Sequence, residues 1–167
     1  MKRFALTLVL LALAAASAAQ DTDVSAEALE ERIGELRAQG EYAEAVDVAK
    51  ELLALRKGDP EAGLYEVADA EELVETLKHI AELPDETRRE LAVADSLTAV
   101  DWTCREESRY EDAAAAVKRQ LEIRRRLLGS EHPDVSASLN SLAHLHYIQG
   151  DFAAAESLFR ESLVIDR

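Results

Sequence analysis

Apolar residues recur along this chain at the three- and four-residue spacings of helices that bury one face. Leu29, Ile33 and Leu36 follow Ser25, whose hydroxyl suits an N-cap, and the stretch predicts a helix over 25–38 closed by Gly40. Ala45, Val48, Ala49, Leu52 and Leu53 predict a second helix over 42–56, stopped by Gly58-Asp59-Pro60. Leu73, Val74, Leu77, Ile80 and Ala81 continue the pattern after Asp69 and Glu72, which read as an acidic capping box. Pro84 suits the first turn of a long helix reaching about Glu106, with Val93, Leu97, Val100 and Cys104 on one side. Ala113, Val117, Leu121 and Leu128 face inward from the next helix, and 134–148 and 152–167 form a last pair. Nowhere do β-branched residues alternate as a strand requires, so the predicted fold class is all-α.

The pattern also repeats. Tyr110-Glu111-Asp112-Ala113 recurs 42 residues later as Phe152-Ala153-Ala154-Ala155, and Leu97, Val100 and Cys104 return as Leu139, Leu142 and His146. An earlier copy, Gly40-Glu41-Tyr42-Ala43-Glu44-Ala45, places its aromatic 68 residues before Tyr110, two periods of 34. Repetition at such periods means stacked helical hairpins, because one hairpin cannot bury its apolar face alone. Leu142-Ala143, His146, Gly150, Phe152, Ala155, Phe159 and Leu163 together resemble the tetratricopeptide repeat. In that family a small residue in the first helix and a Gly-x-aromatic-x-x-Ala turn let two helices pack closely. The connector Leu128-Gly129-Ser130-Glu131-His132-Pro133-Asp134, followed by Ser138-Leu139-Asn140-Ser141-Leu142-Ala143, resembles the longer repeat of kinesin light chains and their bacterial relatives.

The resemblance covers 94–167 and, in degenerate form, 26–57, while 61–93 lacks the pattern and keeps only helical periodicity. It implies a short right-handed superhelix of stacked hairpins: a degenerate hairpin at 25–57, an inserted helix at 61–83, and further hairpins at 84–128 and 133–167. Some positions depart from the family pattern, and in the first copy the Ile33-Gly34 pair is one residue out of step with the later hairpins. Asp101 stands where the later copy has Ala143, Gln120 where a small residue is usual, and Ser162 in place of the usual Ala.

The first residues read as an address. Lys2-Arg3 precedes an uncharged run over 4–16, and Ala16-Ser17-Ala18 supplies the small residues of a cleavage site, so 1–18 is expected to be a signal peptide. The run is shorter than the roughly 20 residues of a membrane span, which favours cleavage near Ala18 and export to the periplasm or the exterior. Only an uncleaved leader would then touch a membrane.

The chain carries a net charge of −15, and removal of the leader takes two basic residues with it. Such acidity argues against nucleic-acid backbones and anionic lipid as partners. A solvated surface explains it more simply than a preference for basic partners. Cys104 is the single cysteine, so no intrachain disulfide exists, and its repeat position predicts a buried thiol. Arg124-Arg125-Arg126 lies at the negative end of its helix and reads as a cap on the dipole.

Catalytic motifs are missing from the sequence. It holds no Gly-x-Ser-x-Gly, no phosphate-binding glycine loop, no His-Glu-x-x-His and no paired-cysteine metal motif, and no cofactor is implied. His144 and His146 project about 200° apart on a helix and cannot grip one metal. Glu75 and His79 share a face, where a solvated ion pair is the simpler reading. His132 in the connector suits a structural hydrogen bond.

The family resemblance implies instead a concave groove lined by the first helix of each hairpin and occupied by a peptide or protein. Asp95, Thr98, Trp102 and Arg105 meet that description in one repeat, and Asn140, His144 and Tyr147 in the next. Trp102 also fits a role packed between repeats. The alternative to a self-contained scaffold is the front part of a larger protein, since relatives with this repeat often carry a caspase-like or kinase domain. Leu158, Leu163 and Ile165 cannot all turn inward from one helix, which predicts self-association through the last helix or fraying of it.

Overall fold

The computed structural model describes residues 25–166. Within them lie seven helices and no strand: α1 (Ala26–Gln39), α2 (Tyr42–Gly58), α3 (Leu64–Ala81), α4 (Asp85–Glu106), α5 (Tyr110–Leu128), α6 (Pro133–Ile148) and α7 (Phe152–Ile165). The expected signal peptide falls outside the described residues. Among these residues no helix is long and apolar enough to cross a membrane.

Local chemistry sets the helix ends. The Ala28 amide donates to Ser25 Oγ at 3.2 Å, and the Asp134 amide donates to His132 Nδ1 at 3.1 Å, with Pro133 opening α6. Three hairpins turn in the same way. The amides of Gly40, Ser108 and Gly150 donate to the carbonyls of Arg37, Arg105 and Tyr147, and the next amides, of Glu41, Arg109 and Asp151, reach back to Leu36, Cys104 and His146. That pairing requires a left-handed residue at the turn. Gly40 and Gly150 supply it at φ 83°, and Ser108 adopts it at φ 59° against the usual cost of a side chain there.

Two expectations need correction. α3 begins a turn earlier than Asp69, because the Gly63 amide donates to the Glu66 carboxylate at 3.1 Å; Glu66 closes this end, and Asp69 lies inside the helix. In α4, Val93 and Val100 are exposed instead of sharing a buried face with Cys104. The neighbours of α4 are α1 and α5, and the helix turns Leu91, Ala94 and Asp95 inward.

The array is an α-solenoid in which each hairpin leans on the next. α1 packs on α2 and α4, α3 lies against α2, and α4 to α7 stack in order. One apolar cluster joins Leu29, Ile33, Leu52 and Leu77 to Leu91 of α4. A second gathers Cys104, Val117, Leu139 and Leu145, with Leu158 and Ile165 against its edge. α7 buries only Ala155 and Ser162 and leaves Phe152, Phe159, Leu163 and Val164 exposed.

Candidate functional site

α1, α4 and α6 are the first helices of the three hairpins that share the turn, and all three line one concave cleft of about 1210 Å³. Counting back from that turn, Gly34, Trp102 and His144 occupy the same place in their helices. Trp102 and Gly34 both line the cleft. Trp102 is 66% exposed, so its side chain is not packed between repeats. A Cβ at Gly34 would meet nothing within 4 Å, so the missing side chain adds to the open space. A smaller depression of about 510 Å³, where the Gly40 turn meets the start of α4, holds Arg88 and Arg89 and no aromatic.

The floor of the cleft is a buried polar network that the sequence reading missed. Asp95 is 7% exposed and accepts from Arg37 Nε and Nη2, both at 3.1 Å, from Tyr42 Oη at 2.9 Å and from Arg124 Nη2 at 2.6 Å. Arg37 Nη2 also reaches Asp134 at 2.7 Å, and Arg124 Nη1 donates to Ser138 Oγ at 2.8 Å. Gln120 donates to the Ala94 carbonyl at 3.1 Å and to Thr98 Oγ1 at 2.8 Å. Two guanidiniums and two carboxylates thus neutralise one another across α1, α4, α5 and α6. Burial opposes charge on Asp95 and Asp134, but the arginines outweigh it and hold both carboxyls below the usual carboxylate range. Burial and the Asp95 charge raise the Tyr42 phenol. Burial likewise opposes the charge on Arg37, and Asp134 and Asp95 overcome it to keep the guanidinium protonated.

The expected groove residues divide. Trp102 and Thr98 line the cleft, Thr98 with its hydroxyl taken by Gln120. Asp95 lies in the floor, its oxygens committed to the network, and offers a partner no free carboxylate. Arg105 pairs with Asp101 at 2.7 Å and spans to α6, donating to the Ser141 carbonyl at 3.1 Å and to His144 Nδ1 at 3.2 Å. Asn140 turns toward its own hairpin partner and accepts from Ser162 Oγ at 2.6 Å. Tyr147 sits edge-on to Phe152 with ring centroids 5.4 Å apart.

The departures from the family pattern acquire reasons. Asp101 orients Arg105, Gln120 ties α5 to α4, and Ser162 ties α7 to α6. The three consecutive arginines do not act together as a helix cap: Arg124 is buried in the network, Arg125 pairs with Glu161 and Arg126 with Glu90. Glu75 pairs with Lys78 at 2.6 Å. Among the described residues no three His, Cys, Asp or Glu side chains gather as metal ligands.

Comparison with known proteins agrees with this geometry. Two family models, each described as tetratricopeptide repeat, match residues 28–62 and 103–167. No curated protein matches the chain. The segment between the matches contains α3 and most of α4. Matched hairpins, a shared turn and a cleft lined by first helices lead to one assignment: the chain is a tetratricopeptide repeat protein.

Proposed function

We propose that the protein is a scaffold that seats a peptide or protein partner in the cleft lined by α1, α4 and α6, without catalysing a reaction. The observation that carries this reading is Trp102, a large aromatic left exposed on a concave wall whose floor is fixed by buried ion pairs. Aromatic side chains held in concave, preorganised surroundings are where binding energy concentrates. A photo-crosslinking amino acid at position 102 is expected to capture a partner from the native cell fraction. The same group at Lys118, exposed on α5 and outside the cleft, is the control. Equal capture at both positions would sink the reading.

Export belongs to the same proposal. Lys2-Arg3, the apolar run and the small residues ending at Ala18 support a periplasmic or secreted protein. Mass spectrometry of the mature N-terminus tests it, and an intact Met1 on exported protein would contradict cleavage. The connector 128–134, with His132 capping α6, supports placement in the kinesin-light-chain-like subclass. Phe159 and Leu163, exposed on α7, support pairing with a second copy, for which Leu163→Glu is expected to abolish any concentration-dependent sedimentation.

A further inference from the structure

The charges around the cleft are unequal. Its lining holds seven carboxylates and two guanidiniums, and both guanidiniums, Arg37 and Arg124, are consumed by Asp95 and Asp134 in the floor. Three of the remaining carboxylates have cationic partners: Glu30 pairs with Arg56, Glu35 with Arg32 and Asp101 with Arg105. Glu27 and Glu31, one turn apart on α1, have none among the described residues and are exposed. The cleft therefore presents an acidic wall from α1, an exposed indole from α4 and, beside the charge-neutralised floor, small apolar residues such as Ala38, Ala99 and Ala137, with no free cation among the described residues.

We propose that the cleft takes an extended basic segment of a partner protein, with Lys or Arg side chains against Glu27 and Glu31 and across the face of Trp102. The proposal rests on the reading of the cleft as the binding surface and names the chemistry of its occupant. Complementary charge selects a cationic segment and repels an acidic one. The indole face attracts the same cations through its quadrupole, and their aliphatic stems can lie on the small apolar residues Ala38, Ala99 and Ala137. Gly34 leaves room for chain to pass beside the indole.

Three labelled twelve-residue peptides test this, each with the same alternating Ala and Leu frame and carrying Lys, Gln or Glu at every third position. Anisotropy gives affinity, and the emission of Trp102, the chain's single tryptophan, reports whether the peptide occupies the cleft. The Lys peptide is expected to bind, to shift Trp102 emission and to weaken as salt is raised. Glu27→Gln with Glu31→Gln should weaken it about fivefold. Gly34→Arg, which enters open space and brings a like charge, should weaken it at least about tenfold.

Equal or tighter binding of the Gln or Glu peptide, with a Trp102 response, would overturn the basic occupant and leave the cleft reading standing. Binding of the Lys peptide with no Trp102 response and no effect of Gly34→Arg would place it elsewhere on an acidic surface and overturn the proposal. Failure of all three peptides to bind would also overturn it, while crosslinking at position 102 would still judge the cleft on its own.

Discussion

Asp95 and Trp102 lie two turns apart on one helix and do opposite work. Asp95 is shut away between Arg37, Arg124 and Tyr42, whereas Trp102 faces solvent. Removing one partner of a buried ion pair strands the others, so Asp95→Ala is expected to cost about 3 to 5 kcal/mol in chemical denaturation. Trp102→Ala leaves no core cavity and should change stability by less than about 1 kcal/mol. A costlier loss at Trp102 than at Asp95 would reverse the assignment. Sequence periodicity placed both residues on one groove-facing side, and Trp102 does line the cleft. It missed the burial of Asp95 because the arginines that enclose it come 58 residues earlier and 29 later. No local spacing encodes such an encounter. The bond between Asn140 and Ser162 was hidden for a related reason, since it depends on how α7 lies on α6.

Helices were the most legible elements, because apolar spacing, caps and glycines agree along most of the chain. Less legible was the start of α3, where Gly63 offers no capping side chain and the helix relies on Glu66 alone. The buried face of α4 was misread because two neighbours, α1 and α5, divide it. The glycines sort by backbone conformation, and two of them give opposite expectations. Gly40 closes α1 at φ 83°, so Gly40→Ala should destabilise by about 1 kcal/mol from backbone strain, its Cβ lying only in ordinary contact 3.6 Å from Ala92. Gly34 sits inside α1 with open space around it, and Gly34→Ala should stabilise by about 0.5 to 1 kcal/mol. Denaturant midpoints of the two variants, shifted in opposite directions, check both.

At the scale of the whole molecule the network couples two apolar clusters that have no residue in common. The first rests on α1, α2 and α3, and the second on α5 and α6, while Arg37, Asp95, Arg124 and Asp134 cross from one to the other. Its response to pH follows from the direction of each shift. Asp95 and Asp134 have folded pKa values below those of the unfolded chain, so their stabilisation is complete above about pH 4 and is lost as pH falls through the folded values. His132 is depressed by burial, which adds a smaller loss below about pH 6.5. Tyr42 is raised, so its contribution is present below about pH 10 and declines above it. Thermal melts should therefore peak near neutrality and fall on both sides. Asp95→Ala should flatten the acid side and separate the unfolding of the two clusters.

The central claim is that a partner lies on the first helices, in a cleft whose floor is already set. Hydrogen exchange of the protein with and without the Lys peptide tests it most directly. The account predicts slowed exchange concentrated in α1, α4 and α6 around Glu31, Trp102 and Ser141, with α3 and α7 unchanged. Slowing on the outer face of α7 or on α3, with α1 and α4 unaffected, would contradict it.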